Sequence, residues 1–194
     1  MKTKWKRSFF LLLGMNLFIL AMIIILIFLP TKNDPLPVDV ANQGDDPVQF
    51  HVNTNREDLN KIINAYIKKE NQKSPIDYQV ILKDNVELHG DVKVFSEDVD
   101  FKLTFEPKAL NNGDLVLKQK GISLGQLKLP VSYILKFARD SYNPPDWIRI
   151  MPNDKMIYVS LKKMELKSDM KIRADHFNLK EDDIRFTLLI PTEK

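Results

Sequence analysis

The chain has 194 residues, which is enough for one folded domain and an additional segment but not for two full domains. It contains 29 Lys and Arg residues against 26 Asp and Glu, and four of the basic residues lie within the first eight positions. The remainder is nearly neutral, with 25 basic against 26 acidic residues, and lacks the positive charge that nucleic-acid binding requires, so no nucleic-acid partner is expected. The absence of cysteine excludes disulfides and favours a bacterial envelope over a eukaryotic secretory route.

An apolar run at 9–29 is the most pronounced feature of the sequence. It contains no charged residue, and at helical rise it spans about 31 Å, close to the hydrocarbon thickness of a bilayer. Four basic residues and no acidic residue precede it, namely Lys2, Lys4, Lys6 and Arg7. The run is too long for the apolar core of a signal peptide, and no small-x-small cleavage site follows it. We therefore expect an uncleaved, single-pass plasma-membrane anchor, with residues 1–8 in the cytoplasm and the C-terminal domain extracellular.

Residues 30–47 differ sharply in composition from the run before them. Four prolines alternate with Asn, Asp and Gly residues, and apolar residues show little periodicity. This composition predicts a semi-extended tether. The folded domain is then expected over 48–194, a length sufficient for a hydrophobic core.

A short strand and a helix are predicted to open this domain. Val48, Phe50 and Val52 alternate with polar residues, which is the period of a strand. Thr54 and Glu57 have the spacing of a capping box, in which each side chain satisfies a free backbone donor at a helix start. The pattern predicts a helix over about 55–70 with one apolar face. That face consists of Leu59, Ile62, Ile63, Tyr66 and Ile67.

Beyond this helix the apolar period changes to two, which is the period of a half-buried strand. The alternating segments are 78–82, 86–94, 99–105 and 115–117. Short turns separate them, and Asn112-Gly113 is a hairpin signal. Short connections between alternating segments predict an antiparallel meander with one dry face and one solvated face.

A second helix and three more strands complete the predicted order. Pro130 fits the first position of a helix that ends before Pro144-Pro145, and alternation then resumes at 157–161, 170–174 and 184–190. The fold class expected is α+β: an N-terminal transmembrane helix, then a curled antiparallel meander packed on two amphipathic helices.

One motif invites an enzymatic interpretation. Gly121, Ser123 and Gly125 match G-x-S-x-G, in which a sharp strand-to-helix turn exposes a nucleophilic serine. Here the residues after Gly125 continue to alternate, so we expect an extended chain and no nucleophile elbow. Nothing in the sequence singles out another nucleophile or a pair of carboxylates, and we expect no catalytic activity.

The three histidines do not have the spacing of metal ligands. His51, His89 and His176 are far apart in sequence, without a partner at i,i+4 and without cysteine. The six glycines are scattered and form no phosphate-binding loop. Neither a metal nor a cofactor is expected.

The order of elements resembles that of a known family. The resemblance is carried by VQFHVNTNREDLNKIINAYI, by VELHGDVKVFSEDVDFKLTFEPKALNNGDLVLKQKGISLGQLKLPVSYIL and by PPDWIRIMP. These segments resemble the YpmS family of Gram-positive bacterial membrane-anchored proteins over essentially the whole chain. The resemblance implies a location on the outer side of the membrane. It also implies proximity to envelope metabolism, with an SGNH-type esterase as one candidate partner.

Two functions follow as hypotheses. The first is binding of lipid or of envelope-polymer precursors by the apolar face of the curled sheet, on a plan that resembles tubular lipid-binding domains. The candidate lining residues are Ile63, Ile67, Val92, Val94, Val99, Phe101, Leu103 and Phe105. The same residues would equally form an ordinary filled core, and the pattern does not separate the two. The second hypothesis is a non-catalytic scaffold or accessory subunit for an envelope enzyme.

Overall fold

A computed structural model of the chain describes residues 2–28, 47–71, 78–94, 97–125, 130–141, 144–164, 166 and 169–191. The chain divides into two units, Met1–Lys32 and Asn33–Lys194. Apart from Pro47, the predicted tether lies outside the described residues.

The first unit contains one helix, α1, over Lys2–Phe28. Its described side chains, from 9 to 25, are all exposed. Asn16 donates from Nδ2 to the carbonyl of Leu12 at 3.1 Å, which satisfies this amide within its own helix. Among the described residues, no helix meets the combined requirement of length and apolar character for a membrane span.

The described residues of the second unit form two separate antiparallel sheets. A three-stranded sheet has the order β1-β9-β8, and a six-stranded sheet has the order β2-β3-β4-β5-β7-β6. In the smaller sheet, the strands are β1 (Val48–Thr54), β8 (Lys171–Asn178) and β9 (Asp183–Ile190). In the larger sheet, they are β2 (Tyr78–Leu82), β3 (Val86–Val94), β4 (Glu97–Ala109), β5 (Leu115–Leu124), β6 (Ile148–Met151) and β7 (Met156–Val159).

The prediction of antiparallel strands with α-helices is confirmed, but the single curled meander is wrong. The larger sheet is open, with β2 and β6 at its edges, and the last two strands pair with β1 instead of extending it. A period of two tells which face of a strand is buried, but not which strand lies beside it. Strand β6 follows Pro144-Pro145 and was not predicted, since four residues carry little periodicity.

Helix α2, over Arg56–Asn71, confirms the predicted helix, but its cap is one residue later than expected. Asn55 accepts from the Asp58 backbone N–H at 2.8 Å, and its amide donates to the Asp58 carboxylate at 3.0 Å. The Arg56 N–H is bound by Asp182 of the β8–β9 turn at 2.6 Å. Asn55 thus takes the role expected of Thr54, because Thr54 belongs to β1, whereas the Asp58 carboxylate binds the Asn55 side chain and not a backbone N–H.

The buried face of α2 is narrower than the periodicity predicted. Ile67 is buried, and Leu59 and Ile63 pack against the main core. Ile62 and Tyr66 are 65% and 43% exposed. Helix α3, over Val131–Ser141, follows Pro130, whose carbonyl accepts from the N–H of Tyr133 at 3.0 Å.

The main core lies between the apolar face of the larger sheet and the elements that cover it. Leu82, Leu103 and Phe105 of the sheet cluster with Leu135 of α3 and Ile184 of β9. Leu59 and Ile63 of α2 and Phe177 and Phe186 of the smaller sheet pack against the same cluster. Both helices and the smaller sheet therefore cover this face. On the opposite face, Val116, Met151 and Tyr158 form a buried apolar cluster at β5, β6 and β7, whereas the positions on β2 to β5 beyond it are polar.

A second group of contacts fixes the β4–β5 hairpin. Asp114, which is 3% exposed, accepts from Asn112 Nδ2 at 3.1 Å and from the Tyr158 hydroxyl. Gly113 has a positive φ of 87°, and its carbonyl accepts from the Ala174 N–H of β8 at 2.7 Å. The Asn112-Gly113-Asp114 sequence, predicted only as a hairpin signal, therefore joins the two sheets.

Candidate functional site

The polar face of the larger sheet is built by the strand register. Gln79 of β2 lies opposite His89 of β3, which lies opposite Lys102 of β4, which lies opposite Ser123 of β5. Alternate residues of a strand share a face, and the neighbours of these four carry the apolar side chains. The four side chains therefore form one row across four strands, on the face that points away from the core.

A cleft of about 600 Å³ lies along this row. It is lined by Tyr78, Gln79, His89, Gly90, Asp91, Asp100, Phe101, Lys102, Ser123 and Gly125. The Gly125 N–H donates to the carbonyl of Asp100 at 2.9 Å, and its φ of 48° ends β5 at this point.

Glu87 organises the basic end of the cleft. Its carboxylate, 11% exposed, accepts from Lys102 Nζ at 2.9 Å, from His89 Nε2 at 2.9 Å and from Lys83 Nζ at 3.1 Å. The hydrogen bond from Lys102, followed by that from His89, lowers the pKa of Glu87 to about 2. The carboxylate is therefore ionised at neutral pH and holds Lys102 and His89 in place.

The other end of the cleft is acidic. Asp91 of β3 and Asp100 of β4 are direct cross-strand partners, and both side chains are exposed. Carboxylates offer only acceptors, whereas Gln79, Lys102 and Ser123 supply donors. The cleft therefore presents donors and acceptors along its length.

Ser123 of the G-x-S-x-G motif lies in this cleft, and its backbone is that of a strand. It belongs to β5, which continues to Leu124; the extended chain predicted after Gly125 is not tested by this strand. Residues 126–129 lie outside the described part of the chain. The side chain opposite Ser123 is Lys102, whose ammonium is held by Glu87.

The predicted groove residues fall into three groups. Leu103 and Phe105 are buried in the main core, and Phe101 and Ile63 pack against it. Ile67 is buried, and Val99 is half-buried. Val92 and Val94 belong to β3, but their side chains lie outside the described residues. Of the six whose side chains are described, Phe101 also borders the cleft.

The histidines are dispersed. His51 pairs with Thr187 at 3.0 Å, His89 with Glu87 at 2.9 Å, and His176 lies 3.5 Å from Asp183. In the part of the chain that the structure describes, no group of three or more His, Asp or Glu side chains is arranged to hold a metal ion.

The Glu87 cluster was not predicted from the sequence. The alternation over 86–94 predicts only that Glu87 and His89 lie on the solvated face of their strand. A signal was present, since Glu87-x-His89 places both residues on one face and Lys102 follows on the neighbouring strand. Only the register of β3 with β4, however, shows that Lys102 lies opposite His89 and next to Glu87.

Comparison with known proteins gives the family. A family described as an uncharacterized protein conserved in bacteria, DUF2140, matches residues 3–190. The chain is also 33% identical over 190 residues to the uncharacterized protein YpmS of Bacillus subtilis (strain 168), covering 98% of this chain and 99% of that protein. No solved structure matches the chain. The predicted resemblance to the YpmS family is confirmed, and the chain belongs to the DUF2140 family of bacterial proteins.

Proposed function

We propose that this chain is a membrane-anchored, extracytoplasmic and non-catalytic protein that binds a sugar-containing precursor of an envelope polymer. The observation that carries the proposal is the polar cleft on the face of the larger sheet opposite the main core. Its volume of about 600 Å³ lies within the range of roughly 300–1,000 Å³ found for small-molecule sites.

The chemistry of the cleft favours a hydroxyl-rich ligand over an acyl chain. A buried CH₂ group contributes about 0.8 kcal/mol only when an apolar wall replaces water around it. Here the wall includes Gln79, Asp100 and Lys102, whose desolvation by an acyl chain would be uncompensated. Sugar hydroxyls donate to carboxylates and accept from ammonium and amide groups, so they match both ends of the cleft.

The chemistry also disfavours a ligand recognised by negative charge alone. Lys102 is partly neutralised by Glu87 at 2.9 Å, and the carboxylates of Asp91 and Asp100 line the same cleft. A phosphate group would meet repulsion from these carboxylates. We therefore expect the sugar part of a precursor to provide the binding energy.

The anchored location rests on the sequence. Residues 9–29 carry no charge, and the flanking basic residues precede them, which favours an N-terminus inside and a domain outside. A reporter that is active only outside the cytoplasm, fused after Lys194, should give signal. A signal from a reporter that works only in the cytoplasm would refute this orientation.

The ligand is tested by calorimetry on the detergent-solubilised full chain with soluble cell-wall disaccharide as the probe. We expect saturable binding that is weakened at least tenfold by Lys102→Ala and retained by Lys118→Ala, a lysine of β5 outside the cleft lining. Equal binding by both variants, or no binding by the wild type, would refute the assignment of the cleft as the binding site. Acyl chains found by mass spectrometry after organic extraction would instead support the lipid-binding hypothesis.

A second candidate is an accessory subunit for an envelope enzyme, such as an SGNH-type esterase. The observation that favours it is the exposure of large apolar side chains on both helices, with Ile62 of α2 65% exposed and Phe137 of α3 49% exposed. Such side chains are common at protein interfaces. Cross-linking in intact cells should then recover one envelope protein, and its loss with Ile62→Glu would locate the contact.

A further inference from the structure

Strand β1 is an exposed edge of the smaller sheet. Among the described residues its one neighbouring strand is β9, and every residue from Val48 to Asn53 is exposed. Val48, Phe50 and Val52 lie on one face and are 46%, 51% and 37% exposed. No residue of this strand is charged, and none is proline. An uncharged edge of this length is a ready template for another strand.

The other three sheet edges are covered or interrupted. The amides of Asn60 and Asn64 on α2 bind the backbone of β2 at Val80 and Leu82. Strand β8 has a register shift between Ala174 and His176, and its Ala174 N–H is bound by the Gly113 carbonyl. Strand β6 lies beside α3. Natural proteins protect sheet edges by these means, so the contrast with β1 points to pairing.

We propose that β1 pairs antiparallel with β1 of a second copy of this chain, about a two-fold axis at Phe50. In this register Val48 lies opposite the partner's Val52, and the two Phe50 side chains lie opposite each other. All three exposed apolar side chains of each copy then meet apolar partners. The two smaller sheets become one continuous six-stranded sheet.

The absence of charge favours a second copy as the occupant. In two-fold pairing, β1 lies against the identical strand of the second copy. A charged residue in β1 would therefore lie close to the same charge on the second copy. The polar face of β1 presents Gln49, His51 and Asn53, which form hydrogen bonds without repulsion. The chain's own segment 30–47 is a poorer occupant, because Pro35, Pro37 and Pro47 lack the N–H that strand pairing requires.

The absence of cysteine makes a direct test available. Opposed residues of antiparallel strands have Cα atoms about 4.5–5.5 Å apart, which is within the range for a disulfide. Phe50→Cys in the detergent-solubilised full chain should therefore form a covalent dimer under mild oxidation. Ile62→Cys, on exposed α2, is the control and should remain largely monomeric. Equal cross-linking of both variants would mean random collision and would overturn the proposal.

A second measurement separates this contact from any other dimer. Sedimentation of the wild type should show a dimer that weakens at least tenfold with Phe50→Lys. At a concentration where both proteins are monomeric, the two should have the same melting temperature, because Phe50 is half exposed. A dimer that persists in this variant, or a monomer at all concentrations, would refute pairing through β1. Capture of a protein of different mass by Phe50→Cys would likewise refute a second copy as the occupant.

Discussion

Asn64 and Val80 are joined by two hydrogen bonds that close a ring between helix α2 and the edge of the larger sheet. Asn64 Nδ2 donates to the Val80 carbonyl at 2.6 Å, and the Val80 N–H donates to Asn64 Oδ1 at 3.0 Å. Asn60 Oδ1 accepts from the Leu82 N–H at 2.9 Å. Four residues of helix rise about 6 Å and two residues of strand about 6.6 Å, so the two amides match alternate strand residues. The helix thus takes the place of a further strand.

Removal of this ring should destabilise the domain. Asn64→Ala leaves the Val80 N–H and C=O without their partners at a helix–sheet contact, and we expect a loss of about 1–3 kcal/mol in the free energy of unfolding. Lys61→Ala removes only exposed ion pairs with Glu57 and Asp58 and should leave it nearly unchanged. Denaturant unfolding measures both. Equal effects would show that the ring contributes nothing specific.

The Glu87 cluster predicts a pH dependence with a defined sign. The folded pKa of Glu87 is about 2 against an ordinary value of 4.5, so the ionised form stabilises the fold above about pH 4.5 and this contribution is lost as pH falls towards 2. Glu87→Gln should therefore destabilise by about 1–2 kcal/mol at pH 7 and progressively less below pH 4.5. Glu106→Gln, an exposed carboxylate of the same sheet, is the control. A Glu87→Gln effect that is independent of pH would contradict the assignment.

Two glycines offer a matched test of the hairpin. A Cβ at Gly113 would lie 2.5 Å from the Cβ of Arg173, at a φ of 87°, whereas a Cβ at Gly121 would meet nothing closer than 3.6 Å. Gly113→Ala should destabilise by about 2–4 kcal/mol through strain and overlap, and Gly121→Ala by less than about 1 kcal/mol. Thermal unfolding of the two variants gives the comparison. Similar melting temperatures would mean that the hairpin and β8 move apart readily.

Phe105 tests whether the apolar face is a core or a groove. Its side chain is 2% exposed and belongs to the main cluster, so Phe105→Trp should overpack it and cost about 1–3 kcal/mol. Phe137→Trp, at a position 49% exposed on α3, should be nearly neutral. Melting and lipid extraction are measured on the same samples. Lipid present in the wild type and lost in a Phe105→Trp variant that melts normally would establish a groove.

Ser123 should not react as a catalytic nucleophile. It lies within β5 with extended backbone, and Lys102 opposite it is held by Glu87 at 2.9 Å, so this lysine is not available as a base for its hydroxyl. A fluorophosphonate probe should leave the protein unlabelled while labelling a serine esterase in the same reaction. Labelling that disappears in Ser123→Ala would reveal an active serine.

The local elements followed from the sequence because periodicity is a property of neighbouring residues. Leu59, Ile63 and Ile67 indicated helix α2, and the alternation around Leu103 indicated β4; both were confirmed. The N-cap of α2 was predicted at Thr54 but lies at Asn55, because β1 extends through Thr54 and its extent depends on pairing with β9. The exposure of Ile62 also depended on how far the sheet reaches around the helix, which periodicity does not measure.

The tertiary structure alone decided which strands pair and which side chains come together in the cleft and the core. Alternation gives β9 a buried face but does not say that its neighbour is β1, more than 120 residues earlier, because strand partners are chosen by packing over long sequence separations. For the same reason the sequence could not show that Glu87 meets Lys102, or that Leu103 and Phe105 contact Leu135 and Ile184 in one core. The amides of Asn60 and Asn64 gave no sign in the sequence of covering a sheet edge, since a polar helix position has the same pattern whether it faces water or the free backbone of a strand.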